Sequence, residues 1–311
     1  MDNNFESRIQ NLVKSSLIPI NIPNQFNLKY FNSAFSKLKG RESQLYDIAE
    51  LFHENTKIRK YLAPEFIMSA SLFDEDYIIE SISRMERKIP TFANIPLPRS
   101  KLIKKPFSHA IRKRRSIREY EASKPLELNE LSTLLYHSYG ISAEMRTNFN
   151  QNIISKNLLT IPSGGGLYPL ELYVGIVNGN NIDNGLYHYN YLKHHLDKIL
   201  VKDFPNCLFS CFPIHPNGIN MDTIGAVFII VGIFLRSKMK YGSRSYRYVL
   251  QESGHLAQNL CVTATALNLG SIPIAAFFDD DVNKILNIDG VEEAAVYTVF
   301  TGHQKKNQGK T

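Results

Sequence analysis

The run Arg114-Arg115-Ser116-Ile117-Arg118 has the residue types of a phosphate-binding segment. In an extended chain, alternate residues point to the same side, so Arg114, Ser116 and Arg118 share one face. Two guanidinium groups and a hydroxyl there can donate charge-assisted hydrogen bonds to a terminal phosphate. A solvated basic surface and a nucleic-acid patch remain open as alternatives, because further basic residues lie nearby: Lys104, Lys105, Arg112 and Lys113.

A second stretch, Pro162-Ser163-Gly164-Gly165-Gly166-Leu167-Tyr168-Pro169, places three glycines between two prolines. The prolines restrict the ends of this loop, and the glycines leave its backbone bare. Such a loop can lie flat against a ring system and offer N–H groups to ring carbonyls, because no Cβ blocks the approach. A tight connection between two elements is the alternative interpretation.

Several common catalytic and nucleotide-binding signatures are absent from the sequence. There is no GxxxxGK[ST] segment, no GxGxxG segment between a strand and a helix, and neither HExxH nor GxSxG. Three cysteines are too few for a disulfide framework. Cys207 and Cys211 lie four residues apart, but no nearby Cys or His pair completes a set of ligands, so no metal site is predicted.

The composition is that of a globular protein, with 43% hydrophobic and 21% charged residues among 311 and a formal net charge of +7. The basic stretch Arg99 to Arg118 contains only Phe107 as an aromatic residue that could stack on bases. The longest apolar run, Ile224 to Leu235, is too short for a membrane helix, and the polar N-terminus is not a signal peptide. We expect a cytoplasmic protein that binds neither nucleic acid nor membrane.

Hydrophobic periodicity predicts a mixture of helices and strands around these motifs. One helix is predicted to end near Arg115, a second to cover Leu128 to Tyr139, and a long third to cover Tyr246 to Leu269, with Gly270 as its terminating glycine. Strands are predicted at four places: Glu171 to Val177, Gly185 to Leu196, Gly225 to Leu235 and Ala294 to Thr301. This mixture indicates an α+β protein with a long central helix.

The N-terminal third differs from the rest of the chain in its hydrophobic pattern and its proline content. Short amphipathic segments at Tyr46 to Phe52 and Ile67 to Met85 favour helices, and the prolines between Ile89 and Pro106 favour an extended linker. We therefore predict a helical accessory region with its linker over residues 1–105. The domain that carries both motifs is predicted to be 106–311.

Together the two motifs resemble those of the nitroreductase-like flavoproteins, which bind FMN at a homodimer interface. Further along, Lys240 to Tyr248 (KYGSRSYRY) is similar to the SagB-type azoline dehydrogenases of thiazole- and oxazole-forming peptide pathways. The segments PSGGGLYPLELYV, GLYHYNYLKHHL and Phe52 to Lys57 carry the same resemblance, which covers Arg114 to His303 well and residues 1–105 only in short stretches. It implies a nitroreductase-like fold, with a mixed, mainly antiparallel sheet flanked by helices.

The resemblance also implies individual cofactor contacts, all of them to FMN. The FMN phosphate and ribityl segment is matched by Arg114, Arg115, Ser116 and Arg118, and a further basic contact near the C-terminus by Lys305, with His303 and Lys306 as neighbours. The loop that reaches the flavin, in relatives from the partner subunit, is matched by Pro162, Ser163, Gly164 and Gly166. The segment whose backbone approaches flavin N5 is matched by Pro273, Ile274 and Ala275.

Lys240 and Tyr241 match the pair that azoline dehydrogenases use for catalysis. The implied reaction oxidises thiazoline or oxazoline rings in a ribosomally made precursor peptide, in company with a cyclodehydratase complex. A lysine beside a tyrosine suits proton removal, since burial depresses the pKa of a lysine and a phenol can share the proton. Which of the two is the base stays open. An NAD(P)H-dependent nitro- or quinone reductase of the same fold is the alternative, and a non-enzymatic binding module is a second one.

Overall fold

The computed structural model describes residues 48–58, 87, 89–149, 152–199, 201–213 and 218–305. The chain divides into two compact units, Met1–Asn55 and Thr56–Thr311. In the first unit, helix α1 covers Ile48–Asn55 and overlaps the helix predicted at Tyr46 to Phe52. The helix predicted at Ile67 to Met85 lies outside the described residues.

The second unit is built on a seven-stranded sheet in which every neighbouring pair of strands is antiparallel. From one edge to the other, its strands are β1 (Ala93–Pro96), β8 (His195–Ile199), β7 (Gly185–Asn190), β5 (Leu170–Ile176), β9 (Ala226–Ile233), β11 (Glu293–His303) and β10 (Leu269–Ile274). Two small pairs lie outside this sheet: β2 (Leu126–Glu127) with β6 (Gly179–Asn180), and β3 (Ile141–Phe149) with β4 (Asn152–Leu159).

Helices cover both faces of the sheet. The described helices of this unit are α2 (Phe107–Lys113), α3 (Leu128–Tyr139), α4 (Asn206–Ser210), α5 (Phe234–Tyr241), α6 (Ser245–Ala266) and α7 (Asp279–Leu286). Alternate residues of the fully buried strand β9 enter two separate cores. Phe228 and Ile230 join the core under α3 and α6, whereas Val227 and Ile229 join the core under α4 and α7.

Most of the predicted elements in this unit are confirmed. Helix α3 has the predicted bounds, and a capping box between Glu127 and Glu130 fixes its start. The run from Gly225 to Leu235 is shorter as a strand than predicted, because β9 ends at Ile233 and α5 begins at Phe234. The stretch Gly185 to Leu196 divides into the hairpin strands β7 and β8.

The end of the long helix was predicted wrongly. Helix α6 ends at Ala266, and Gly270 lies in strand β10 instead of terminating the helix. The left-handed residue after the helix is Asn268, with φ of 64°, and asparagine tolerates this conformation better than most residues. Gly270 serves close packing, because a Cβ there would lie 2.8 Å from the Ile117 side chain.

The proline-rich segment contributes to the sheet. Strand β1 pairs with β8 from Ala93 to Pro96, and Leu97 is buried in the core beneath α3 and α6. The predicted boundary near residue 105 therefore lies inside the second compact unit. The accessory role of the residues before it stays a prediction.

The predicted fold class is confirmed, with a mainly antiparallel sheet, flanking helices and the 22-residue helix α6. Among the helices of the described residues, none has both the length and the apolar character that crossing a membrane requires. The turn from α5 into α6 and the loop before β5 are the parts of this fold that position the candidate site.

Candidate functional site

The glycine loop, Pro162 to Pro169, is fixed by a buried carboxylate of α6. One oxygen of Glu252, Oε1, accepts hydrogen bonds from Ser163 Oγ and from the Gly164 backbone N–H, both at 3.0 Å. Ser163 Oγ in turn accepts a bond of 2.8 Å from the Tyr168 N–H. Ser163 thereby joins the two ends of the loop and connects them to Glu252, which is only 3% exposed.

Lys240 and Tyr241 lie against the middle of this loop. Gly165 has a left-handed φ of 64°, and a Cβ built there would meet the Tyr241 hydroxyl at 2.7 Å and Lys240 Nζ at 3.3 Å. A side chain at this position would be strained by the left-handed backbone, would overlap the Tyr241 hydroxyl and would crowd Lys240, so glycine favours this close approach. The structure therefore brings the predicted catalytic pair and the predicted flavin loop together within one protomer.

A second lysine reaches the same loop from the β3–β4 hairpin. Lys156 Nζ donates to the Gly165 carbonyl at 3.1 Å and lies near the Cβ position of Gly166. Burial lowers the pKa of Lys156, and the positive charge of Lys240 lowers it further. The cluster thus holds two amines and a phenol around two adjacent glycines.

Helix α5, which carries Lys240 and Tyr241, is anchored one turn earlier by Arg236. Its guanidinium pairs with the buried Glu171 and donates to the Tyr168 carbonyl at 3.2 Å, so α5 is bound to the end of the glycine loop. Glu171 also contacts His188 Nε2 at 2.8 Å. Burial alone would raise the pKa of Glu171, but Arg236 and His188 hold it at about 2.

The aromatic ring of Tyr241 packs on the start of α6. It forms an edge-to-face pair with Tyr248, at a centroid distance of 4.8 Å. Arg244 Nε donates to the Tyr248 hydroxyl at 3.0 Å, and the same guanidinium donates to the Thr56 carbonyl at 2.6 Å. These contacts fix the orientation of the Tyr241 ring, so that its hydroxyl is held at the loop.

The pKa values of two acidic side chains in this cluster, Glu252 and Tyr241, are shifted. Burial raises the pKa of Glu252 to about 7, although the hydrogen bonds from Gly164 and Ser163 oppose the shift. Burial also raises the pKa of Tyr241, and the neighbouring Tyr248 and Glu252 add to the effect. A carboxyl that titrates near neutral pH beside a phenol and an amine is typical of a site that moves protons.

The arginine segment, residues 114–118, lies along the free edge of β10. Ser116 bridges Ser271 in parallel, and the Ile117 N–H donates to the Ser271 carbonyl at 3.0 Å. Arg115 and Arg118 are exposed and Arg114 is half-buried. In the described part of the chain, none of the three forms an ion pair with a carboxylate, so their charge is available to an anion.

Lys305 lies beside this segment because the chain end pairs with residues just after it. The Lys305 N–H donates to the Glu119 carbonyl at 3.1 Å, and Tyr120 bridges Gln304. The structure thus places the backbone of Lys305 next to the residue that follows Arg118. The side chain of His303 is directed to another partner, since its Nε2 lies 3.1 Å from the Glu130 carboxylate on α3.

Of the predicted N5 segment, only the last residue offers a usable backbone N–H. Ser271 faces the free edge of β10, so the alternating Ile274 directs its N–H toward β11. Pro273 has no N–H, and Ala275 follows the end of the strand and is exposed. Ala275 is therefore the member of the segment that can donate to a ligand.

The predicted residues fall into two clusters, one on α6 at Glu252 and one on β10. The glycine loop contacts α6 at Glu252, near its beginning, whereas the arginine segment packs on β10, which follows the end of α6. No hydrogen bond among the described residues joins residues 114–118 to the glycine loop. In the same part of the chain, no group of three or more metal-binding side chains comes together.

Sequence reasoning left Glu252 without a defined role and missed Lys156 and Arg236. Glu252 lies 89 residues beyond Ser163, and Arg236 lies 68 beyond the carbonyl it binds. A lone glutamate in an amphipathic helix gives no signal of burial on its own. The one available sign was its position four residues after Tyr248, on the same side of α6 as the Lys-Tyr segment that precedes the helix.

Comparison with known proteins identifies the family of this chain. The model of the Nitroreductase family matches residues 111–303, which span the arginine segment, the glycine loop and the Lys240–Tyr241 pair. The chain therefore belongs to the nitroreductase family of oxidoreductases, as its motifs predicted.

Three relatives extend this assignment. A nitroreductase relative from Methanocaldococcus jannaschii is 36% identical over 176 residues, covering 57% of this chain and 81% of its own length. The trifolitoxin-processing protein TfxB of Rhizobium leguminosarum bv. trifolii is 30% identical over 150 residues, covering 47% of this chain and 40% of its own length. The microcin B17-processing protein McbC of Escherichia coli is 28% identical over 145 residues, covering 45% of this chain and 53% of its own length. The chain thus spans about half the length of these two peptide-processing proteins, whose similarity agrees with the SagB-type resemblance.

Solved structures agree with the fold. A nitroreductase structure from Anabaena variabilis has a TM-score of 0.60 and 26% identity, covering 82% of this chain and 46% of that chain. The E. coli microcin synthetase McbBCD complex with truncated pro-MccB17 bound has a TM-score of 0.53 and 20% identity, covering 85% and 100%. At that identity the second likeness concerns the fold alone.

Proposed function

We propose that this protein is an FMN-dependent azoline dehydrogenase, which oxidises thiazoline or oxazoline rings to thiazoles or oxazoles in a ribosomally synthesised peptide. The observation that carries the proposal is the placement of the Tyr241 hydroxyl and Lys240 Nζ against Gly165 of the glycine loop. The similarity to TfxB and McbC, which process peptide toxins by name, supports it.

The donor set of this chain fits FMN. Exposed guanidinium groups without a carboxylate partner in the described residues suit a phosphate, which accepts charge-assisted bonds. The phosphate and ribityl chain would be held by Arg114, Arg115, Ser116, Arg118 and Lys305. The flavin ring would meet the bare backbone of Pro162, Ser163, Gly164 and Gly166 and the segment Pro273, Ile274 and Ala275.

Oxidation of an azoline removes two hydrogens, one as a proton from a ring carbon and one as a hydride. When bound, FMN supplies the hydride acceptor. The proton acceptor is assigned to Tyr241 or Lys240, one as the base and the other as the group that shares the proton. Glu252 and Arg236 hold the loop and α5 in place, so both groups are positioned before a substrate ring arrives.

We further propose a homodimer with two flavin sites at its interface. In each protomer the arginine segment packs on β10 and the glycine loop binds α6, so a second copy can bring its loop to the first copy's arginines. The surface of α5 and α6 that such a partner would cover is rich in exposed apolar side chains: Leu235, Met239, Tyr246 and Leu250. Sedimentation at micromolar concentration tests this, and a flavin-loaded monomer would contradict it.

The proposed partners are the azoline-containing precursor peptide and a cyclodehydratase complex in the cytoplasm. The sequence similarity to the microcin B17-processing protein McbC supports this assignment. Residues 1 to about 90 are proposed as the accessory region that docks the peptide or these proteins. A chain that begins near Ile89, so that it keeps β1, stays folded and loses its flavin would argue against that division of roles.

The direct test is oxidation of a synthetic peptide that carries preformed azolines. Mass spectrometry should show a loss of about two mass units per ring, and the purified protein should show a flavin absorption spectrum. The second candidate, an NAD(P)H-dependent nitro- or quinone reductase, is favoured by the similarity to the M. jannaschii relative. Rapid flavin reduction by NAD(P)H without azoline oxidation would assign the protein to that activity.

A further inference from the structure

Glu252 is a buried carboxyl in the candidate site with no ion pair to any described residue. Its two oxygens differ in environment. Oε1 accepts the two bonds from Ser163 and Gly164, whereas Oε2 is shielded from solvent and has no hydrogen-bond partner in the described residues. A buried acceptor without a partner costs free energy in the folded state, which argues that the carboxyl is retained for a use other than stability.

The surroundings of Glu252 connect it to the proton-transfer pair. Gly164, which it binds, lies within van der Waals contact of the Tyr241 and Tyr248 rings at its Cβ position, at 3.7 and 3.8 Å. The titratable and charged groups that face this pocket come from four elements: Lys240 and Tyr241 on α5, Arg244 and Tyr248 at the start of α6, Tyr139 on α3 and Lys156 on β4. Of these, Tyr241 and Lys240 are the proposed catalytic groups.

We propose that Glu252 is a positioning residue for the proposed azoline oxidation, holding the glycine loop against Tyr241 and setting by its charge the pH range in which the Lys240–Tyr241 pair accepts a proton. A negative carboxylate near Tyr241 opposes formation of the phenolate, and a protonated carboxyl removes this opposition. The protons on Glu252 and Tyr241 are therefore coupled, and the loss of one makes the loss of the other harder.

Two substitutions separate the roles of Glu252. Glu252→Gln keeps an oxygen that can accept the Ser163 and Gly164 bonds but removes the charge. Glu252→Ala removes both the anchor and the charge. Glu292→Gln is the matched control, because this glutamate is exposed and its backbone carbonyl binds Phe234 at the opposite end of α5.

The first measurement needs no substrate, so it is independent of the proposed function on which the inference rests. The ionisation of Tyr241 is followed by ultraviolet difference spectra between each protein and the same protein with Tyr241→Phe. In Glu252→Gln, Tyr241 should ionise at lower pH than in the wild type, and Glu292→Gln should leave the titration unchanged. An unchanged titration in Glu252→Gln overturns the inference.

The second measurement is the pH profile of azoline oxidation, with kcat and KM determined separately between about pH 6 and 9. Glu252→Gln should lose the dependence of kcat on pH near neutral pH. Glu252→Ala should lower kcat by about tenfold or more, because the loop is no longer held. Wild-type profiles in both variants overturn the inference, and if Glu252→Ala does not fold, Glu252→Gln decides.

If the wild type oxidises no azoline, yet Tyr241 ionises at lower pH in Glu252→Gln than in the wild type, the proposed function is rejected and the coupling of Glu252 to Tyr241 stands. If the wild type oxidises azolines but Tyr241 ionises at the same pH in Glu252→Gln as in the wild type, the proposed function stands and the coupling of Glu252 to Tyr241 is rejected. The two failures are therefore distinguishable.

Discussion

The glycine-loop cluster and the arginine segment use polar side chains in opposite ways. Around the loop, Glu252, Arg236 and Lys156 all bind other parts of the protein, and much of the cluster is buried. Along the arginine segment, the backbone is paired with β10 while Arg115 and Arg118 extend into solvent. The first arrangement fixes geometry in advance, and the second leaves charge for a ligand.

This difference predicts that the two regions fail separately. Loss of the Lys240–Tyr241 pair from the loop cluster should slow the chemistry of a protein that still holds its flavin, because these two groups are assigned to proton transfer. Damage to the arginine segment should release the flavin from a protein whose loop cluster is intact. Four experiments test how far this separation goes.

The largest effect is expected from the proton-transfer pair. Tyr241→Phe removes one oxygen and keeps the ring that packs on Tyr248, and Lys240→Ala removes the amine. Each should lower azoline oxidation by roughly 10²–10⁴-fold, the range for a positioned acid–base group. Flavin content and dimerisation should stay normal, as scored by the visible spectrum and by sedimentation.

Wild-type turnover in both variants would make the pair structural and would favour the reductase activity. Inactive protein that is also colourless would show that the pair shapes the flavin site, and the two regions would then not be separate. Only inactive, yellow protein supports the assignment.

The second effect concerns stability within the loop cluster. The Glu252 carboxyl ionises at about pH 7 in the folded protein, against an ordinary value of 4.5. The folded state therefore binds more protons between these pH values, and the free energy of unfolding falls as pH rises through this window. Relative to Glu252→Gln, the wild type should lose about 3 kcal/mol between pH 4.5 and pH 7, since one pKa unit equals about 1.4 kcal/mol.

Denaturant unfolding at several pH values measures this difference, with Glu292→Gln as the control that should follow the wild type. Parallel stability curves for the wild type and Glu252→Gln would mean that the carboxyl is ionised normally. The loop cluster would then be less tightly closed than its contacts indicate.

The third effect concerns the arginine segment. Arg118→Ala should remove a charge-assisted bond worth on the order of 1.5–3 kcal/mol, which lowers FMN affinity by about ten- to a hundredfold. Titration of the flavin-free protein with FMN measures the loss. Arg146→Ala is the control, because that arginine is exposed and already pairs with Glu144 on the hairpin. Undiminished FMN affinity in Arg118→Ala would contradict the phosphate assignment.

The smallest effect comes from a single methyl group. Gly270→Ala should push Ile117 away from β10 and displace the arginine segment, at a cost of about 1 kcal/mol or severalfold in FMN affinity. Combining it with Ile117→Ala should relieve the overlap and restore part of the affinity. Turnover at saturating FMN should not change, and a fall in kcat would show that the two regions are coupled.

Local sequence patterns were sufficient for much of the fold. Helix α3 follows from its amphipathic periodicity between Pro125 and Gly140, and β9 follows from a β-branched run that is buried on both faces. The end of α6 was missed because glycine is the usual terminator, whereas Asn268 takes the left-handed position here. The start of α5 was missed because Phe234 and Leu235 continue the apolar run of the strand.

The candidate site was predictable only in part. Motifs contiguous in sequence, such as the glycine loop and the Lys240–Tyr241 pair, were identified by resemblance, and the structure brings them together. Glu252, Arg236 and Lys156 contact the loop from other elements, so no local pattern in the sequence predicts them. Their importance depends on burial and on contacts distant in sequence, which a single sequence does not encode locally.

Both outer strands of the seven-stranded sheet contain a proline, Pro96 in β1 and Pro273 in β10. The Leu97 N–H donates to the carbonyl of His194, directly before β8, and the Ser271 carbonyl accepts from the Ile117 N–H on the outer side of β10. Strand alternation therefore directs both prolines outward. An outward proline offers no N–H to an incoming strand. The two prolines therefore oppose edge-to-edge pairing of the sheet with another chain at both of its margins.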